Sequence, residues 1–110
     1  MAATSNPIEF EIQTHELKKS ALIFRAINHP LRQRILQLIH RHERMTVTAI
    51  YNRLRMTQSL TSQHLAVLRK AGLVGTKKEG KHIFYDVDYE RLQQLHELAA
   101  RINKQVAGKV

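Results

Sequence analysis

Residues Thr57–Val74, TQSLTSQHLAVLRKAGLV, decide the reading of this chain. Leu60, Leu65, Leu68 and Ala71 recur at three- to five-residue steps, the spacing of a helix buried along one side. Between them Ser59, Ser62, Gln63, Ala66 and Arg69 form a second stripe on the opposite side, small, polar and free of acid. Short hydroxyl and amide side chains can approach base edges and exchange hydrogen bonds with them. Arg69 and Lys70 add charge suited to phosphates, and Gly72 closes the helix as a left-handed cap would. A plain amphipathic helix with a solvated polar face shows the same pattern, so the flanking sequence has to decide.

Upstream, Thr48 is the expected cap of a short helix with Ile50 and Leu54 inward, and Met45–Val47 reads as a short extended piece before it. A break at Arg55–Met56 leads into the helix capped by Thr57. Two short helices across a tight break have the spacing of a helix-turn-helix. Downstream the period changes from helix to strand. Leu73–Lys78 and Lys81–Val87 read as two strands around Glu79-Gly80, with Ile83, Tyr85 and Val87 alternating against His82, Phe84 and Asp86. A hairpin carrying Lys77, Lys78 and Lys81 directly after such a helix has the form of a wing, whose tip would reach phosphates or the minor groove.

Composition agrees with a polyanionic partner. The 110 residues hold 18 Lys and Arg against 9 Asp and Glu, a net charge of +9. Residues 53–81 concentrate this charge: Arg53, Arg55, Arg69, Lys70, Lys77, Lys78 and Lys81 face Glu79 alone, seven cations against one carboxylate. No segment pairs this charge with a broad apolar face, so a membrane surface is not the expected partner. There is no cysteine. That excludes disulfides, thiolate metal sites and cysteine redox chemistry. The N-terminal residues lack the pattern of a signal peptide, and no apolar run approaches a membrane span; the expected compartment is the cytoplasm.

The ends of the chain complete one domain over residues 14–107, preceded by a loose arm over residues 1–13. Thr14 is the expected cap of a first helix to about Asn28, with Leu17, Ala21, Phe24 and Ile27 inward. Pro30 suits the first turn of a second helix, with Leu31, Ile35, Leu38 and Ile39 as its core stripe and Arg32, Arg34 and Arg41 off it. Asp88 is the expected cap of a last helix to about Ala107, ended by Gly108, with Leu92, Leu95, Ala99, Ile102 and Val106 on one side. A winged-helix core is complete without so long a final helix. Its stripe, with Leu17, Ala21 and Phe24, is therefore read as a dimer interface, which would set two reading helices one DNA turn apart. The fold class is mainly α with a small β-hairpin, a winged helix-turn-helix in the order α-α-(β)-α-α-β-β-α.

The combined order of several pieces resembles the ArsR family of winged-helix repressors over roughly residues 14–106. These are Ala26–Leu36 (AINHPLRQRIL), Gln58–Leu65 (QSLTSQHL), Leu68–Val74 (LRKAGLV), and Gly80-Lys81 with Phe84-Tyr85. The resemblance implies a homodimer built from the first and last helices. It also implies binding to an imperfect inverted repeat in a promoter, with repression released by a signal. It places base reading at the start of the recognition helix, on Gln58, Ser59, Thr61, Ser62 and Gln63. His64 falls on the apolar side and is read as a packed, hydrogen-bonded histidine.

The family's metal sites are where the sequence departs from the resemblance. The positions of one site's cysteines hold Thr46 and Thr48, which cannot replace thiolates. The other site maps onto Asp88 and Glu90 with Arg101 and Lys104, or, one residue along, Tyr89 and Arg91 with Ile102 and Gln105. Cations or non-ligands end the idea in either register, so no metal and no cofactor is expected. A non-standard histidine site is the alternative: His40 and His42 point apart on a helix, while His15 and His96 lie on the two dimer helices. A small-molecule or protein effector is left open. A winged-helix module that docks protein would call for an apolar reading stripe, and an enzyme for a glycine-rich phosphate loop, a cysteine nucleophile or a carboxylate pair placed in an evident pocket. The sequence has none of these.

Overall fold

Pro30 opens the second helix at the position where a missing N–H costs nothing, and His29 before it supplies the cap. Its ring Nδ1 accepts from the backbone N–H of Leu31 at 3.2 Å and of Arg32 at 3.5 Å. The structure is a computed structural model that describes the backbone of residues 10–109 and the side chains of residues 10–104. Its elements run α1 (Thr14–Ile27), α2 (Pro30–His42), β1 (Met45–Thr46), α3 (Val47–Leu54), α4 (Gln58–Lys70), β2 (Val74–Glu79), β3 (His82–Val87) and α5 (Tyr89–Lys109). The three strands form one antiparallel sheet in the order β1-β3-β2. This is the winged helix-turn-helix order expected from the sequence.

The core sits where α2, α3 and α4 meet the base of the sheet. Ile35, Leu36, Leu38 and Ile39 of α2, Ile50 of α3, Leu65 and Leu68 of α4, and Met45, Leu73, Val74 and Val87 beside them are all buried. Ala26 closes it from α1 and Leu95 from α5.

Several local expectations shift. Thr14 is the first helical residue and caps nothing; its hydroxyl donates to the Ile12 carbonyl. Thr46, not Thr48, caps α3, accepting from the Ala49 N–H at 3.2 Å. The hairpin turns at Gly80-Lys81, because Glu79 pairs with His82, and Gly80 takes the positive φ of 62°. Asp88 does cap α5, its Oδ1 accepting from the Arg91 N–H at 3.0 Å. That helix continues through Gly108 to Lys109. Of the arm expected over residues 1–13, residues 1–9 lie outside the described residues, and residues 10–13 carry no regular structure.

The molecule is long: 60 × 29 × 22 Å, with a radius of gyration of 18.4 Å. A compact chain of this length would have about 13 Å. With 21 residues, α5 is about 32 Å long. Its first two turns dock on the core through Leu95 and the half-buried Leu92. Further along, Leu98 is 42% and Ile102 50% exposed.

Candidate nucleic-acid interface

Helix α4 is fixed at both ends by its own sequence. Thr57 Oγ1 accepts from the Leu60 N–H at 3.2 Å, satisfying one of the orphan donors of the first turn. At the other end Gly72 takes φ of 75°. Its N–H donates to the Arg69 carbonyl, and that of Leu73 donates to the Leu68 carbonyl at 2.9 Å. These two bonds make a Schellman turn. A Cβ at position 72 would also meet the Arg91 guanidinium at 3.2 Å. The turn delivers the chain from α4 into β2 within three residues, so the wing starts beside the helix it flanks.

Thr61, Leu65 and Leu68 form the buried line of α4. At about 100° per residue the opposite line is Ser59, Gln63, Ala66 and Lys70, with Gln58, Ser62 and Arg69 on one flank and Leu60 and Val67 on the other. All nine of these side chains are exposed. Gln58, Ser59, Ser62 and Gln63 therefore sit together on one open, acid-free face. Thr61 does not. It is fully buried, and its hydroxyl donates to the Thr57 carbonyl at 2.9 Å, so it has neither the exposure nor a free proton for a base edge. Leu60, expected in the core, takes the opposite fate and is 40% exposed.

The turn before α4 is held by Arg55, a non-glycine residue in the left-handed region with φ of 56°. The Met56 N–H donates to the Tyr51 carbonyl at 2.9 Å across it. Such a residue costs of order 1 kcal/mol, which the packing of α3 on α4 must offset. The conformation leaves the Arg55 side chain exposed beside the start of α4. Arg53 is exposed too, and its guanidinium lies 3.2 Å from His42 Nε2.

Behind α4, His64 is half-buried. Its Nδ1 accepts from Arg32 Nε at 3.2 Å, and its ring lies 5.0 Å from that of His29. Arg32 also donates to the Arg25 and Ala26 carbonyls at the end of α1. One guanidinium thus ties α1, α2 and the reading helix together, a role the sequence did not suggest for a residue off the core stripe. Burial holds His64 below its ordinary pKa, with the charges of Arg32 and His29 adding to the effect. The packed, hydrogen-bonded histidine expected here is what the structure shows.

In the wing, the register pairs Lys77 with Phe84 and Lys78 with Ile83, so successive lysines leave opposite faces. Lys77, Lys78 and Lys81 are all exposed around the tip. Arg44, unremarked in the sequence, stacks 4.1 Å over the Phe84 ring and ion-pairs with Glu79. That bond holds the Glu79 carboxyl below its usual range and braces the hairpin from the loop before β1. It also occupies the single carboxylate of this basic stretch.

The residues expected at a dimer interface divide. Leu17 is 58% and Ile102 50% exposed, and Ala21 is exposed as well. Leu95 is buried in its own protomer, and Phe24, Leu92 and Ala99 are half-buried, the first two against that same core. Leu95 thus belongs to the domain core, because the first turns of α5 dock there, with the Tyr89 hydroxyl hydrogen-bonded to His40 of α2. The Val106 side chain lies outside the described residues. Leu98, exposed beside Ile102 on α5, is absent from the expected set.

The family's metal positions do not fit a metal. Thr46 spends its hydroxyl capping α3 and Asp88 its carboxylate capping α5, while Arg101 and Lys104 bring positive charge where ligands would be needed. Among the described residues no three His, Asp or Glu side chains converge as a metal site would require.

A helix-turn-helix with an open polar reading face, followed at once by a basic hairpin, defines a winged helix-turn-helix transcription regulator. A helix-turn-helix domain model matches residues 27–75, from the end of α1 into β2. An HTH-type transcriptional regulator of Methanocaldococcus jannaschii is 37% identical over 81 residues, 74% of this chain and 91% of that protein. The transcriptional activator HlyU of Vibrio cholerae is 31% identical over 96 residues, 87% of this chain and 88% of its own. The solved structure of reduced HlyU matches 83% of this chain and 97% of that one with a TM-score of 0.62. The crystal structure of a possible transcriptional regulator for arsenical resistance is 31% identical and matches 78% of this chain and 94% of that one with a TM-score of 0.66. The chain belongs to the ArsR family of winged helix-turn-helix transcriptional regulators.

Proposed function

We propose that this regulator acts as a homodimeric repressor that occupies an imperfect inverted repeat in a promoter. The reading rests above all on the α4 face: Gln58, Ser59, Ser62 and Gln63 exposed together, without acid, on a helix whose other side is locked into the core. These four residues read base edges, with the Ala66 methyl suited to thymine. Arg69, Lys70, Arg55 and the wing lysines Lys77, Lys78 and Lys81 hold phosphates, and Arg53 joins them from the C-terminal half of α3. Leu98 and Ile102, exposed on a helix that leaves its own domain, supply the surface for a second copy together with Leu17 and Ala21 of α1. A two-fold dimer would set the two α4 helices about 34 Å apart, one turn of DNA. Such an occupant excludes polymerase from an overlapping promoter.

The test is a transcription assay in vitro on the chain's own upstream region, beside a footprint of the same DNA. Repression with a footprint of two symmetric half-sites agrees with the proposal. Activation, the role in HlyU's name, or protection of a single half-site would contradict it.

A further inference from the structure

Leu60, Val67 and Leu22 are exposed apolar residues that neither the reading face nor the core absorbs. Two of them meet in a groove of about 400 Å³ between α1 and α4, lined by Lys19, Leu22, Ile23, Val67, Lys70 and Ala71. Its volume lies within the ~300–1,000 Å³ of small-molecule pockets. Leu22 stands 57% and Val67 37% exposed, so the apolar lining is open to solvent. The charged groups at its edge are two ammoniums, one from each helix, and no carboxylate is among its lining residues. Leu22 lies about 140° around α1 from Leu17, off the face assigned above to the partner.

We propose that this groove binds amphipathic monocarboxylates and that their binding releases DNA. The apolar tail lies along Leu22, Ile23 and Val67, and the carboxylate reaches Lys19 and Lys70. An inorganic anion would leave the apolar lining wet, and a neutral amphiphile would leave both ammoniums unpaired, so the groove matches a molecule that carries both features. Release follows from Lys70. It lies about 20° around α4 from Ser59, on the centre line of the DNA-facing surface, and it also lines the groove. One ammonium cannot hold a phosphate and the carboxylate together. Occupancy therefore removes one phosphate contact per protomer, and the coupling is reciprocal: DNA weakens the carboxylate by the same factor. This release step rests on the DNA-binding reading above.

The test uses decanoate, decanol and decyltrimethylammonium, each below its micellar concentration. Calorimetry on the free protein comes first and needs no DNA. Decanoate should bind once per protomer and at least tenfold more tightly than either analogue. Lys19→Gln should weaken it by roughly two- to fivefold, as loss of an exposed ion pair does, and Leu22→Trp, which fills the groove, should abolish it. Both variants should bind DNA normally without ligand. Decanoate should then lower operator affinity and flatten its salt dependence by about 0.9 per protomer, one phosphate contact each. Equal binding of all three amphiphiles, or binding that persists in Leu22→Trp, would overturn the site. Binding with an unchanged salt slope would overturn the role of Lys70. Failure to find an operator would leave the calorimetry standing and would count against the DNA reading alone.

Discussion

Removing the apolar end of α5 should separate the protomers without unfolding them. Leu98 and Ile102 are 42% and 50% exposed in the protomer. Full burial of such a side chain contributes about 1.5–3 kcal/mol, so covering the exposed half in a dimer contributes about 1 kcal/mol. Two residues on each of two protomers give about 4 kcal/mol. The double variant Leu98→Ala, Ile102→Ala should therefore raise the dimer dissociation constant by about three orders of magnitude. Sedimentation velocity across a wide concentration range reads this directly, and circular dichroism should show the melting of the separated protomer little changed. Leu95→Ala is the contrast. That side chain is buried in its own domain, so the loss should appear as about 2–5 kcal/mol of protomer stability. If the double variant stayed dimeric at every concentration, the assignment of α5 to the interface would be wrong. The same would follow if Leu95→Ala separated the protomers while leaving each one's stability intact.

Further expectations concern the reading head. Thr57→Ala removes the α4 cap and should cost about 1 kcal/mol, a fall of about 4–8 °C in melting temperature. Thr61→Val leaves the Thr57 carbonyl its backbone partner, since the Thr61 N–H donates there too. It should be nearly neutral in both stability and base preference, measured by melting and by competition with altered operators. Gln63→Ala should relax base preference at one position of each half-site by about 1–3 kcal/mol. Lys78→Ala should weaken all duplexes alike and lower the salt slope by about 0.9 per protomer. Identical behaviour of these two variants on specific and scrambled DNA would refute the division of labour. His64 titrates below its ordinary value in the fold, so protonation favours the unfolded chain. Its contribution is complete above about pH 6.5 and fades as pH falls through the lowered folded value. His64→Gln should flatten the acid side of the stability–pH curve measured by denaturant melts, and an unchanged curve would exclude the histidine as its source.

Periodicity carried most of the fold because each element buries one side only. The apolar steps of α2 could be satisfied in one way, whereas the alternation in His82–Val87 marks a strand without marking its inner face: Ile83 is exposed, and Phe84 is half-buried like Tyr85. The misreadings have physical causes. Leu60 outranks Thr61 in hydropathy, yet Thr61, Leu65 and Leu68 are the residues spaced four and three apart. A hydroxyl that can bond the carbonyl four residues back is tolerated in a core. Thr46 and Thr48 are equal as caps by composition, and only the paired strand β1 shows where the helix begins. His29 is not a common capping residue, although Pro30 at the first helical position pointed to a cap before it. Arg55 gave no glycine to mark its left-handed turn. The apolar stripe of α5 runs on without interruption, so nothing in its spacing marks where the domain's own core ends after Leu95. Of the proposed reading residues, Ser59, Ser62 and Gln63 were legible as a polar stripe and Gln58 only through the family resemblance, whereas the bracing by Arg32 and Arg44 depends on contacts 32 and 35 residues away in sequence.

Everything proposed for this regulator depends on sequence-specific DNA binding through the open face of α4. A fluorescence-anisotropy titration at physiological salt tests it most directly, comparing duplex from the gene's own upstream region with a scrambled duplex of equal length. A preference of about 10³ or more for the upstream duplex is expected, lost in Gln63→Ala combined with Ser62→Ala. Equal, weak and salt-sensitive binding to both duplexes would contradict it and reduce the surface to a basic patch held on charge alone.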